Sequence, residues 1–206
     1  MPLSYQEIKA IVDKLIGEGM VSMGSSQEES TSSPKTTTKT SYPNLPLLDP
    51  PPPSNLLPYK NAALKLKYLT DLNTAKAVFA IMWAEASKDR PSDSFRSAGG
   101  HNYAGVQTDS GKWSSGGIIA RYRRNDSERS REFAVFPDDN GFLNFMISRI
   151  KGKNINGGDG DSWTISYINR WWSPSQKSSY TKGTEKYNQK LAIYNTAIKK
   201  FNEYTE

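Results

Sequence analysis

Hydrophobic and polar positions divide the chain of 206 residues into two parts of different character. The first 60 residues hold one short amphipathic stripe, followed by a polar and then a proline-rich run. From Asn61 onward, apolar residues recur at helical or strand spacing almost to the C terminus. This pattern predicts a folded C-terminal domain preceded by a long extended segment.

Most of the folded part has the apolar spacing of helices, and we assign each apolar stripe to core packing. Asn73 or Thr74 is in place to cap the second of these helices. A further aromatic stretch, Trp163–Trp172, is helical or irregular. The predicted helices span Leu64–Leu72, residues 73–88, Phe142–Ile150 and Lys186–Tyr204.

Two stretches that follow the second helix alternate in the manner of strands. Ile118–Arg124 and Arg131–Phe136 flank the turn-forming residues 125–128, so they predict a β-hairpin. The predicted fold class is therefore mainly α, within the α+β class, with one β-hairpin inserted among the helices.

The part of the chain before the folded domain is expected to consist of a helix and a linker. Ser4 and Glu7 have capping-box spacing ahead of an apolar stripe, so residues 1–19 predict a short amphipathic helix that docks on another surface. Residues 20–57 are rich in Ser and Thr and then in Pro, which favours an extended or disordered linker. The folded domain is thus expected to span residues 58–206.

The net charge of +6 belongs to the folded part. Residues 1–60 carry 5 Lys and 6 acidic residues, a charge of -1, so residues 61–206 carry +7. A basic surface favours anionic polymers such as nucleic acid, teichoic acid or peptidoglycan. The chain has no cysteine and a single histidine, which excludes disulfides and multi-histidine metal sites, and we expect no cofactor and no metal.

Glu85 is the one acidic residue in an apolar helical run that begins at Ala77. The charged form of a carboxyl on or beside a buried surface is disfavoured, which suits a general acid. The structural alternative is an acid at a helix end, solvated or paired with Lys88 or Arg90. The residues that follow Glu85 favour the chemical interpretation.

A turn after this helix is similar to one in a known family. Asn102–Gln107 resembles the Asn-aromatic-x-Gly-aliphatic-polar turn that follows the catalytic helix in bacterial glucosaminidases of the flagellar and autolysin type. Ala80–Ser87 is similar to their Ala-rich helix that ends in Glu-Ser, with Ala86 before Ser87 here. Phe133–Phe145 and Tyr180–Leu191 resemble their strand-to-helix passage and the Tyr-rich entry to their last helix. The resemblance covers roughly residues 70–200 and implies a lysozyme-like fold.

The resemblance implies cleavage of the glycan strand of peptidoglycan, with Glu85 as the general acid that protonates the leaving glycosidic oxygen. Asn102, Tyr103 and Gln107 would line the floor of the cleft, and Gly105 would allow close backbone approach at the turn. Aromatic side chains are candidates for stacking on sugar rings, with core or rim packing as the alternative. These candidates are Trp113, Tyr122, Tyr180, Trp171 and Trp172.

The second acid of this family is missing from its usual place. The enzymes often carry it on the first hairpin strand, just before an aromatic residue, where this chain has Arg121-Tyr122. Asp109, Asp126 and Glu128 are the nearest acids and are the candidates for that role. Three alternatives stay open: assistance by the substrate's N-acetyl group, a non-hydrolytic cleavage, or a fold that persists without activity.

The sequence thus predicts a peptidoglycan hydrolase that cleaves β-1,4 glycosidic bonds and is glucosaminidase- or muramidase-like. The N terminus lacks the features of a signal peptide, and no stretch approaches the roughly 20 apolar residues of a membrane span. We therefore expect a phage endolysin, present in the host cytoplasm before it reaches the cell wall, or a virion-associated protein that docks through its N-terminal helix. The alternative is a non-catalytic, lysozyme-like virion protein that binds glycan. A nucleic-acid binder ranks last because no recognition motif is present.

Overall fold

The computed structural model describes residues 45–48, 55–86, 93–108, 117–125, 130–172, 174 and 177–206, which belong to a compact unit that spans Ser41–Glu206. Over these residues the fold combines five α-helices with two small sheets, which confirms the predicted α+β class. The helices are α1 (Tyr59–Leu69), α2 (Leu72–Ala86), α3 (Asp139–Gly152), α4 (Gly160–Ser166) and α5 (Glu185–Thr205). The strands are β1 (Leu47–Leu48), β2 (Leu56–Pro58), β3 (Ser94–Arg96), β4 (Ala120–Asn125) and β5 (Ser130–Val135). A π-helix (Tyr167–Trp172) and a 3-10 helix (Lys177–Tyr180) lie between α4 and α5.

Helix α2 accounts for the long apolar run in the sequence because it is the central helix of the core. Ten of its 15 side chains are buried, and α1, α3 and α5 pack around it. Asp71 caps its N terminus: Asp71 Oδ1 accepts a hydrogen bond from Thr74 N at 2.9 Å. The cap therefore lies just before the positions that the sequence suggested, Asn73 and Thr74. The last turn of α2 carries Glu85 to the edge of the core.

The predicted hairpin is present. Strands β4 and β5 pair in antiparallel fashion, with Ala120 opposite Val135 and Asn125 opposite Ser130. Gln107 forms an isolated antiparallel bridge with Phe133 on the other side of β5. The turn of residues 102–107 is thereby attached to the hairpin.

Two short strands lie inside the segment that the sequence assigned to a linker. β1 pairs in parallel with Arg121 and Tyr122 of β4, and β2 pairs in antiparallel fashion with β3. The side chain of Leu57 in β2 is 1 % exposed, so it is part of the core. The linker prediction for residues 20–57 does not hold for these residues, because strand pairing and leucine burial attach them to the domain.

The remaining residues before the domain, 1–44 and 49–54, lie outside the described residues, and so does the predicted N-terminal helix over residues 1–19. Within the described part of the chain, no helix has both the length and the apolarity that crossing a bilayer requires.

Candidate active site

Glu85 lies in the last turn of α2, where the helix leaves the core. Its side chain is half-buried, and Ala84 and Ala86 on either side of it are buried. The Tyr167 hydroxyl donates a hydrogen bond to Glu85 Oε1, with 2.7 Å between the oxygen atoms. The carboxyl is therefore held at one oxygen by a partner 82 positions further along the chain.

Tyr167 is the first residue of the π-helix that follows α4. Its ring stacks on that of Trp163, with 4.8 Å between the centroids and 9° between the planes. Burial, and after it the Glu85 charge and hydrogen bond, raise the pKa of Tyr167 well above its usual range, so the hydroxyl stays protonated and acts as a donor. π-helices occur often at functional sites. The sequence pattern did not identify Tyr167 as a site residue.

A cavity of about 230 Å³ opens beside Glu85. Its walls come from four parts of the chain: the end of α2, the turn after it, one side of α3 and the end of the π-helix. The lining residues besides Glu85 are Ala104, Gly105, Val106, Gln107, Phe145, Arg149, Lys153, Trp171 and Trp172. The structure thus places Gly105 and Gln107 in the lining of the same cavity as Glu85.

Asn102 holds the turn of residues 102–107 in place through hydrogen bonds and does not line the cavity. It is fully buried; its Nδ2 donates to Val106 O at 2.8 Å and to Ala134 O at 3.0 Å, and its Oδ1 accepts from Val106 N at 2.8 Å. The prediction that Asn102 lines the cleft floor is therefore corrected, because its amide is used to fix the turn to β5. Gly105 has φ of +60°, and a Cβ there would meet no atom within 4 Å. The turn thus needs glycine for its left-handed backbone.

Tyr103 is also buried, which corrects its predicted place on the cleft floor. Its hydroxyl donates to Asp139 Oδ1 at 2.7 Å, and His101 Nδ1 lies 2.9 Å from the same atom. Burial acts to raise the pKa of Asp139, but the contacts with Tyr103 and His101, together with the nearby Lys65 charge, lower that pKa below its usual range. These contacts join the turn to the N-terminal end of α3.

Aromatic rings form the far wall of the cavity. Trp171 is half-buried, and Trp172 is 38 % exposed. Lys190 Nζ lies 4.2 Å from the centroid of the Trp172 ring, and Tyr180 meets the same ring edge-on at 4.8 Å. Tyr180 therefore contacts Trp172, while the two tryptophans themselves line the cavity beside Glu85.

The hairpin holds Tyr122 and Arg121 in structural contacts. Tyr122 is 1 % exposed and its ring stacks on that of Phe133 at 5.7 Å, so its predicted role in sugar stacking is corrected to packing. Arg121 Nη1 pairs with Glu132 Oε2 at 2.5 Å, and its Nε donates to Leu45 O at 3.1 Å. Arg121, which stands where the resemblance would place a second acid, is thus a cation held in an ion pair.

The remaining candidates, Asp109, Trp113, Asp126 and Glu128, lie outside the described residues, and their roles stay predictions. Among the residues that the structure does describe, Glu85 is the only carboxylate that lines this cavity. The same part of the chain holds no group of three or more His, Cys, Asp or Glu side chains suited to a metal ion.

Comparisons with protein-family models, with curated proteins and with solved structures gave no match. The chemistry of the site therefore has to be argued from its own residues.

Proposed function

We propose that this chain is a peptidoglycan hydrolase that cleaves β-1,4 glycosidic bonds of the bacterial cell-wall glycan, with Glu85 as general acid. The observation that carries the proposal is the position of Glu85: a half-buried carboxyl, fixed by Tyr167, at the edge of a cavity with aromatic walls. A general acid needs this combination of a restrained carboxyl and a site for the bond that it protonates.

A lysozyme-like scaffold is part of the proposal. The first support is the order of elements: α2, which carries Glu85 in its last turn, precedes the hairpin, and the hairpin precedes α3. The second is the turn of residues 102–107, which lies beside Glu85, and the third is the pair of π-helix tryptophans that line the same cavity. The rings of Trp171 and Trp172 are suited to packing against the apolar faces of sugars. Gly105 lines the cavity, and a Cβ there would meet no atom within 4 Å.

In the proposed reaction, the Glu85 carboxyl donates its proton to the glycosidic oxygen as the bond to the anomeric carbon breaks. The Tyr167 hydroxyl occupies one carboxyl oxygen, which leaves the other oxygen to face the substrate. Water attacks the anomeric carbon directly, or it opens the oxazoline formed by the substrate's N-acetyl group or the glycosyl ester formed by one of the acids Asp109, Asp126 and Glu128. The proton of that water passes to the Glu85 carboxylate or to one of those acids.

A second candidate function is a non-catalytic, lysozyme-like protein that binds glycan as part of a virion. The observation that favours it is the ion pair between Arg121 and Glu132, which puts a cation where the family often has its second acid. Hydrolysis agrees with a phage endolysin or a virion-associated wall-degrading protein, whereas the binding function agrees only with a virion protein. In either virion protein, residues 1–19 would dock the chain on the larger assembly.

Replacement of the acid by its amide distinguishes the two candidates. We expect the full chain to clear a purified peptidoglycan gel and Glu85→Gln to lose about 100-fold or more of that activity, because the amide has no proton to donate. Glu203→Gln is the matched control, since this exposed glutamate pairs with Lys200 on α5 and does not line the cavity. Full clearing by Glu85→Gln removes Glu85 from the catalytic role, and no clearing by any form of the protein favours the binding function.

A further inference from the structure

We propose that Arg149 and Lys153 form an anion subsite in the Glu85 cavity, which binds a carboxylate carried by the glycan. The proposal rests on the proposed function, since it takes the glycan as ligand. It goes further by naming the substituent that is recognised, a carboxylate on the sugars, and the two residues that bind it, so that an acidic β-1,4 glycan is preferred to a neutral one such as chitin.

The two cations continue one row of α3: Arg149 lies in its last turn, and Lys153 is the C-cap residue that directly follows Gly152. Phe145, Arg149 and Lys153 follow each other at intervals of four residues, and all three line the cavity. At 1.5 Å per residue, this row covers about 12 Å of the helix axis. It begins with an apolar ring and ends with two positive charges, so a glycan that lies along it meets the cations at one end.

The charge balance of the cavity favours an anion. Its charged lining residues, among those described, are Glu85, Arg149 and Lys153. A general acid must be protonated to act, and the cavity then carries two positive charges without a negative one from Glu85. Partial burial lowers the pKa of Arg149, and burial together with the Arg149 charge lowers the pKa of Lys153. A bound carboxylate offsets both the desolvation and the repulsion.

Lys153 is held in place by the wall opposite α3. Its Nζ donates to Arg170 O at 2.5 Å, while Arg170 Nη1 donates to Lys153 O at 3.1 Å and to Asn154 O at 2.5 Å. These bonds fix the ammonium beside the π-helix that carries the tryptophans. An ammonium has three donors, so the bond to Arg170 leaves donors for a ligand.

Cations near the end of a helix also have a purely structural explanation, because they interact favourably with the helix dipole. Lys151 tests that explanation, since it lies in the same last turn of α3. It is exposed, its Nζ lies 3.6 Å from Asp71 Oδ2, and it does not line the cavity. The dipole accounts for all three cations, but only Arg149 and Lys153 share the cavity with Glu85.

Calorimetric titration of the full chain with three hexasaccharides tests the subsite. The chain carries Glu85→Gln to prevent turnover. The ligands are chitohexaose, an alternating N-acetylglucosamine and N-acetylmuramic acid hexamer with free lactyl carboxylates, and the same hexamer with those carboxylates converted to methyl amides. We expect the acidic hexamer to bind about tenfold more tightly than the amide form, because charge-assisted hydrogen bonds are lost in the amide.

The added substitutions Arg149→Gln and Lys153→Gln are expected to reduce that preference several-fold each, and Lys151→Gln to leave it unchanged. Equal affinity of the Glu85→Gln protein for the acidic and amide hexamers would overturn the subsite, whether or not the added variants fold. The subsite would also be overturned if Lys151→Gln removed the preference for the acidic hexamer as fully as Arg149→Gln and Lys153→Gln do. The result is separate from the proposed function. Clearing of peptidoglycan without the charge preference refutes the subsite alone, whereas the charge preference in a protein that does not clear refutes hydrolysis alone.

Discussion

The contact between Tyr167 and Glu85 shows how a single hydrogen bond can define a site. Glu85 ends a helix whose other side chains are mostly apolar, and a carboxyl there has several rotamers available. The buried Tyr167 hydroxyl fixes one of its oxygens, and Trp163 fixes the Tyr167 ring in turn. The position of the Glu85 carboxyl, the proposed proton donor, thus depends on a second residue that lies on a different helix.

Removal of the Tyr167 hydroxyl is therefore expected to slow the reaction without weakening substrate binding. For Tyr167→Phe we predict a fall in kcat of about tenfold, since the lost hydrogen bond to an ionisable group is worth about 1.5–3 kcal/mol and part of this is recovered by water. KM should stay within about twofold of the parent value. Steady-state kinetics on soluble glycan fragments measures both.

Tyr187→Phe is the matched control for this prediction. The Tyr187 hydroxyl also donates to a carboxylate, Asp161 Oδ1 at 2.6 Å, but it lies away from the Glu85 cavity. An unchanged kcat in Tyr167→Phe, or an equal loss of kcat in Tyr187→Phe, would show that the Tyr167 hydroxyl does not position the acid.

At the scale of elements, periodic patterns in the sequence predicted the helices and strands whose apolar residues recur at regular spacing. The hairpin, α2, α3 and α5 were all predicted, with ends displaced by a few residues because capping groups such as Asp71 set the ends. The π-helix was not predictable from a 3.6-residue period, since its wider turns depend on tertiary packing. Glu85 was singled out by its place in an apolar run, and Gly105 and Gln107 by the resemblance of their turn to that of the glucosaminidases. Tyr167 was missed because its contact with Glu85 joins residues 82 positions apart and depends on tertiary packing. Arg149 and Lys153 read in the sequence as ordinary charges at a helix end.

The loop between α3 and α4 shows how closely these elements are packed against α2. A Cβ at Gly157 would lie 2.2 Å from Asn73 O and 2.5 Å from Ala77 N, both in the backbone of α2. Gly157 O also accepts a hydrogen bond from the Tyr194 hydroxyl at 2.7 Å. The loop backbone is thus packed directly on the helix that carries Glu85, and only glycine leaves room for it.

Gly157→Ala is expected to lower the free energy of unfolding by about 2–3 kcal/mol, because the added methyl group forces two backbones apart. Gly152→Ala, at the end of α3, serves as control: a Cβ there meets no atom within 4 Å, so the change should be neutral or stabilise by up to about 1 kcal/mol. Urea denaturation followed by circular dichroism measures both. Equal stability of the two variants would contradict the tight contact of the loop with α2.

At the scale of the whole molecule, the main correction to the sequence analysis concerns where the folded part begins. A segment rich in proline is typical of an extended spacer, and its composition carries no information about which distant strand it pairs with. β1 and β2 are two and three residues long, so their existence depends on β4 and β3 and not on a local pattern. The compact unit accordingly starts near Ser41 and not at residue 58.

Two N-terminal truncations test this boundary. Deletion of residues 1–40 is expected to change Tm by no more than about 2 °C, because the compact unit from Ser41 keeps all of its own strands and core. Deletion of residues 1–57 removes β1, most of β2 and the buried side chains of Leu45 and Leu57, each worth about 1.5–3 kcal/mol of burial. A loss of that size corresponds to a fall in Tm of about 10 °C in a domain of this length. Thermal denaturation of the two truncated proteins gives the Tm values to compare. Equal values would mean that β1 and β2 contribute nothing to stability and that the domain begins at residue 58.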